Sequence, residues 1–404
     1  MNVFLPADIL IPDVESMEKW SVIACDQFSS QPEYWKDVKE TVGNSPSSLH
    51  LIFPEAELED VDEAEKIKTI NCNMQSYLEQ GIFKEYEKSY VYVERTLQNG
   101  KIRKGLVGMI DLEAYDYSEN SSSRIRATEK TVTSRIPPRV KIREYAPIEL
   151  PHVLLLCDDR SGTLIERLSK KKKEMIQLYD FDLMKEGGHI SGWLVSGRLA
   201  EDFEKQVASY EMANADMPYA VGDGNHSLAT AKVCYENYKK SHSGTENINV
   251  PARYAMVELE NIHDEALEFS PIHRIVTETD KGVLLEELRK TCCAPKGYPV
   301  QWYTKEQHGI LYLDSSKSRL AVAILQDFLD EYLKNHKGRM DYIHGEESLR
   351  KLASKDNTVG FLLPSMAKRD LFPYVTESGT LPRKTFSMGH ATEKRYYLEA
   401  RKIR

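Results

Sequence analysis

Met217-Pro218-Tyr219-Ala220-Val221-Gly222-Asp223-Gly224-Asn225-His226-Ser227-Leu228 is the stretch that decides how this chain is read. Its first part is a short apolar run of strand length. Its last residue begins a series, Leu228, Ala231, Cys234, Tyr235 and Tyr238, at three- and four-residue spacing, which predicts a helix opening at Ser227 with one apolar face. A strand, a tight turn through Gly222 and Gly224, and a helix N-terminus form a ready anion site. First-turn N–H groups lack partners inside the helix, the helix dipole favours negative charge there, and glycine lets the backbone approach a phosphate closely. Asp223 and His226 then stand beside that phosphate, one offering a carboxylate to a metal or a proton, the other an imidazole that can donate to oxygen. The plainer alternative is a turn followed by a capped helix, with Asn225 or Ser227 as the cap, and on the spacing alone it is the stronger of the two. The stretch is not a P-loop, lacking the Gly-Lys-Ser/Thr ending, and Ser227 replaces the third glycine of a dinucleotide fingerprint.

The chain has 404 residues, 41% of them hydrophobic, enough for one large or two ordinary domains. A net charge of −9 argues against a general nucleic-acid binder, which needs a basic field. The cysteines at 25, 72, 157, 234, 292 and 293 form no C-x-x-C pair, so neither a zinc ribbon nor a thioredoxin-type site is suggested, and Cys292-Cys293 reads as two ordinary thiols. Residues 1–13 do not read as a signal peptide, and no apolar stretch approaches membrane-spanning length. The expectation is a reduced, cytoplasmic protein whose partners are a nucleotide and a small-molecule substrate, with no membrane or nucleic acid, and for which a homodimer is compatible.

The pattern along the chain mixes periods. Helices are predicted at 32–39, at 60–80 closed by Gly81, at 161–179 with a solvated basic run at 170–173, and at 199–212, 284–288, 321–333 and 348–354. Strands at 90–97 and 104–112 flank Asn99-Gly100, a strong hairpin turn, and others are predicted at 151–157, 190–195, 254–259, 300–303, 309–313 and 360–364. Residues 119–123 and 239–249 read as polar loops. Hairpins interrupt the alternation of strand and helix, so the fold class is α/β of the mixed α+β kind rather than a uniform βαβ series. A division near residue 290 separates an expected core, 1–290, from a C-terminal α/β segment, 291–404, packed on it.

Other residues could serve the same chemistry. Arg124, Arg126, Arg135, Arg139 and Arg143 crowd behind the hairpin, interleaved with Glu129, Lys130 and Lys141. Guanidinium forks bind phosphate at two points and could supply the charge the 222–227 loop lacks; a solvated charged surface is an equal alternative. Asp26, beside Gln27, is a candidate for metal or a substrate amine, weighed against a loop aspartate capping the next helix. His273-Arg274 and His263-Asp264 invite a metal hypothesis, but no H-E-x-x-H or comparable set appears. His189, after two glycines, reads as a turn residue. The segment containing Arg383-Lys384 and Glu393-Lys394-Arg395 is basic in an acidic chain, and could either fold back onto nucleotide phosphates or lie on the surface.

Several of these stretches carry a resemblance. Asp223-Gly224-Asn225-His226-Ser227 resembles the Asp-Gly-His-His-Arg loop of the ParB/sulfiredoxin-like superfamily, which includes nucleotide-dependent kinases of free serine. Only Asp223, Gly224 and His226 carry over, because Asn225 and Ser227 stand where that loop has histidine and arginine. The whole chain is similar to the domain-of-unknown-function-1015 family through residues 19–27, Arg126-Ala127-Thr128-Glu129, Pro271-Ile272-His273-Arg274 and residues 381–389. The resemblance implies a ParB/sulfiredoxin-like nucleotide-binding core with additional strands and helices, and a kinase of a small hydroxyl compound, free L-serine foremost, using ATP or ADP with Mg²⁺. On that reading Glu129 is the general base, because a serine hydroxyl needs a proton acceptor as phosphoryl transfer proceeds. Asp223 and His226 share the catalytic role, and Asp223 holds the metal. Gly222, Gly224, Asn225, Ser227, Arg126, Arg135, His273, Arg274, Arg383 and Lys384 contact phosphate or nucleotide, and Asp26 and Gln27 contact substrate. The alternatives are a slow or non-catalytic nucleotide-binding regulator of ParB-like type, and a metal-dependent hydrolase built from His226, His263, Asp264 and His273.

Overall fold

A computed structural model describes residues 2–58, 62–242 and 249–404, and divides the chain into two compact units. One contains residues 1–267 together with 390–404, the other residues 268–389. Residue 290, the expected boundary, falls inside helix Lys281–Cys292 of the second unit.

The first unit is organised on an eleven-stranded mixed sheet. Its spatial order is Ile176–Leu183, Gly188–Val195, Phe83–Thr96, Ile102–Asp111, Tyr254–Asn261, Leu154–Cys157, Tyr219–Asp223, Ile125–Ala127 and Tyr115–Asp116, with Phe4–Leu5 and Ala7–Pro12 pairing on Ile102–Asp111 and Phe83–Thr96. The hairpin expected at Asn99-Gly100 joins Phe83–Thr96 to Ile102–Asp111, the Gly100 N–H donating to Leu97 O at 2.9 Å. Both faces of the sheet are covered. Tyr90 and Tyr92 enter one core with Phe203, Val207 and Leu228, while Val91 and Val93 enter another with Val22, Trp35, Val38 and Tyr397. This explains the apolar run at 90–93, since a strand buried on both faces has no polar side to show.

The mixed α/β expectation holds. Single elements are corrected: of the helix expected over 161–179 only Ile165–Ser169 is α-helical, and Ile176–Leu183 is a strand paired with Gly188–Val195; His189, read as a turn residue, lies in that second strand opposite Thr96, and residues 239–241 of the expected loop end helix Asn225–Ser241. Asp180, Phe181 and Asp182 alternate there in the strand period, a signal hidden behind the lysine run. Asp60, Val61 and residues 243–248, parts of an expected helix and an expected loop, lie outside the described residues. The second unit carries its own six-stranded sheet, in the order His308–Leu313, Cys293–Tyr303, Val359–Leu362, Phe269–Thr277 and Arg339–His344, with Phe386–Met388 pairing on Phe269–Thr277. No helix among the described residues is long and apolar enough to cross a membrane.

Candidate functional site

Strand Tyr219–Asp223 lies between Leu154–Cys157 and Ile125–Ala127, parallel to the latter, and runs directly into helix Asn225–Ser241. The helix starts two residues earlier than its apolar spacing suggests. Gly224 is the N-cap, at φ +79°, with no side chain capping the first turn. A Cβ on Gly224 would stand 3.0 Å from Val153 Cα, so both backbone conformation and space require glycine. Neither Asn225 nor Ser227 caps the helix, and the Asn225 Oδ1 is buried without a hydrogen-bond partner among the described residues. The plain capped-turn alternative is therefore not what this helix start adopts.

The uncapped turn opens on a cavity of about 250 Å³. Asp26, Glu129, Asp223, Asn225, His226 and Ser227 line it, together with Cys25, Lys130, Arg139, His152, Thr230 and Tyr397. The Asp223 carboxylate accepts the Gly224 N–H at 2.9 Å and pairs with the Lys394 ammonium at 2.9 Å. Burial pushes its pKa up, but Lys394, the Gly224 N–H and His152 outweigh that and hold it below the usual carboxylate range. His226 Nε2 accepts the Val132 N–H at 3.2 Å, which places the ring proton of the neutral form on Nδ1. Burial, with the charges of Arg139 and Arg135, holds His226 below the ordinary histidine value, Asp26 pulling the other way. His152 is held low by burial as well, against Asp26 and Asp223. Its Nδ1 lies 2.9 Å from the Tyr397 hydroxyl, which also accepts the Cys25 N–H at 3.2 Å. Burial first, then Asp26, pushes the Cys25 thiol up to about 11, so it stays protonated and is a poor nucleophile near neutrality.

Several expected residues do other work. The buried Arg126 gives its guanidinium to Ser123 O and to Asp216, both at 2.8 Å, and Arg124 pairs with Glu211 at 2.9 Å. Arg135 precedes helix Ile136–Arg143 and is exposed; Arg139, one turn on, lines the cavity while pairing with Glu55. Gln27 donates to Asp26 at 3.0 Å. In the second unit, Arg274 is fully buried and donates to Gln326 Oε1 and to the carbonyls of Ile272, Arg383 and Lys384, while His273 Nδ1 accepts the Leu363 N–H at 3.2 Å. Their sequence match therefore carries a packing role inside that unit. His263 lies 2.5 Å from Asp158, and the Asp264 carboxylate accepts the N–H groups of Lys104 and Ala266. Among the described residues no three histidine, cysteine, aspartate or glutamate side chains are grouped to hold a metal.

Lys394, His152 and Tyr397 belong to the candidate site although the sequence did not mark them. Lys394 belonged to a recognised basic segment, but nothing local ties it to Asp223. Its position is set from behind: the buried Arg95 donates to the carbonyls of Thr392 and Lys394, both at 2.6 Å, and Arg103 donates to that of Glu393 at 2.9 Å.

Among solved structures, the chain is similar to a free serine kinase in complex with AMP, at 12% identity and a TM-score of 0.40, covering 76% of this chain and 95% of that one. It is also similar to a C-terminally truncated SbnI from Staphylococcus aureus, at 10% identity and a TM-score of 0.36 over 70% and 83% of the two chains. A conserved hypothetical protein from Pyrococcus furiosus matches at 11% identity and a TM-score of 0.36, over 72% and 93%. No curated protein gives a significant match. The model of a family described as a protein of unknown function (DUF1015) matches residues 10–401, and the chain belongs to that family.

Proposed function

We propose that the loop 222–227 binds the phosphates of a nucleotide, and that the protein transfers a phosphoryl group from ATP or ADP to the hydroxyl of a small molecule, with free L-serine the first acceptor to test. The observation that carries the reading is the uncapped start of helix Asn225–Ser241, opening on a cavity lined by the carboxylates of Asp26, Glu129 and Asp223 and by two histidines, His152 and His226, both held below the ordinary value. The N–H groups of Asn225, His226 and Ser227 suit phosphate oxygens, with Gly222 and Gly224 allowing close approach. The Nδ1–H of His226 adds a donor. Arg139 is better placed than Arg126 to neutralise charge on the cavity side. In transfer, the acceptor oxygen bonds to the terminal phosphorus, the bond to the leaving nucleotide breaks, and the hydroxyl proton passes to Glu129. Asp26 and Gln27 suit an acceptor's amine.

The carboxylates fit Mg²⁺ held mainly by phosphate oxygens and water, with Asp223 or Asp26 as a protein ligand. When bound, Mg²⁺ would neutralise phosphate charge. Lys394 already occupies one oxygen of Asp223, and that observation favours the second reading, a nucleotide-binding regulator with little turnover. The two readings separate on one assay: release of ADP from ATP, or of AMP from ADP, by the purified protein across a panel of amino acids and small alcohols. Stimulation by one compound, with its phosphate ester seen by mass spectrometry, supports the kinase. Nucleotide binding without stimulation supports the regulator, and no nucleotide binding sinks both.

A further inference from the structure

The cavity is chemically two-sided. Beside the carboxylates runs a wall of Leu51, Phe53, Met74, Ile142, Ala146 and Ile148, continuous with the apolar core that contains Trp20 and Ile70. Arg143 and Glu149 also line this part of the cavity, but they are bonded to one another, and Glu149 also takes Arg401 and the Met256 N–H. Laid on this wall, the ammonium or carboxylate of free serine, or the polar edge of a nucleobase, would be set against hydrocarbon, which is costly; an acceptor's polar groups belong on the side of Asp26 and Glu129. A hydrocarbon or phenyl group would only lose unfavourable contact with water.

We infer that the acceptor carries an apolar body: a small aliphatic or aryl alcohol, or its phosphate ester, whose oxygen faces the start of helix Asn225–Ser241 while its hydrocarbon lies on the Leu51–Ile148 wall. The inference deepens the proposed function and rests on its phosphate-binding loop. Calorimetric titration of the intact protein with inorganic phosphate, O-phosphoserine, AMP and phenyl phosphate tests it. Phenyl phosphate is expected to bind at least about tenfold tighter than O-phosphoserine, the scale of effect a buried ring produces. Ile142→Trp, which fills the chamber, should erase that preference and leave inorganic phosphate binding unchanged; Leu150 lines the same cavity, and Leu150→Phe makes the same comparison if the tryptophan variant does not fold. Tighter binding of O-phosphoserine or AMP than of phenyl phosphate, or a preference that survives filling, overturns the inference. If no phosphate compound binds, the proposed function falls by itself, and benzyl alcohol then decides the chamber. Saturable binding lost in the filled variant upholds it, and no binding overturns it.

Discussion

Asp223 sits at the meeting point of strand, helix and C-terminal segment, and its charge is anchored by the Gly224 N–H and Lys394. Asp223→Asn keeps the shape and removes the charge. It is expected to reduce phosphoryl transfer at least about a hundredfold while leaving the circular dichroism spectrum unchanged, the scale of loss typical of a removed electrostatic group. Wild-type turnover in that variant would end the assigned role. The buried histidines make a second prediction. His152 and His226 are held below the ordinary histidine value in the folded chain, so on acidification the unfolded chain takes up protons first. The stability of keeping these rings neutral is complete above about pH 6.5 and is lost as pH falls toward the folded values. The melting temperature should therefore fall between about pH 7 and pH 5, and fall less steeply in His226→Asn. An equal slope in both proteins would show that His226 does not carry the effect.

At the scale of elements, the strand–turn–helix was legible because everything that defines it is local: an apolar run, two glycines and a helical spacing within about five turns. The hairpin at Asn99-Gly100 was legible for the same reason. The strand Ile176–Leu183 was not, because the lysine-rich residues before it extended a helical pattern into it. The candidate-site partners His152, Tyr397 and Lys394 left no local signal; pairing with a distant carboxylate or hydroxyl has no period to read. Arg126 and Arg274 show the converse. They sit in stretches that match the family, yet their guanidiniums serve the fold, which spacing cannot distinguish from phosphate contact. The element itself is testable through Gly224→Ala. The left-handed φ and the approach to Val153 should cost about 1–3 kcal/mol of stability and weaken phosphate binding more than tenfold, read by chemical denaturation and titration. An alanine variant with full affinity would separate the helix start from the anion.

For the first unit as a whole, the segment 390–404 is structural. Arg395, nearly inaccessible to solvent, pairs with Glu258 and Glu399 and donates to Pro151 O; Tyr396 donates to Met184 O; Tyr397 meets Cys25 and His152. Arg395→Met would leave two buried carboxylates without their cation, and about 3–5 kcal/mol of stability should disappear. A denaturation midpoint equal to that of the wild type would refute this reading of the cluster.

The order in which the chain is made gives that segment a further consequence. Asp223 and Lys394, or His152 and Tyr397, belong to one unit but are separated in synthesis by the whole of residues 268–389. At ordinary rates of translation that insertion delays their meeting by on the order of ten seconds. During that interval the sheet can pair, yet Asp223 has no ammonium and the Cys25–His152 wall no phenol. The pairings that close the cavity's wall thus form only after the inserted unit has been made.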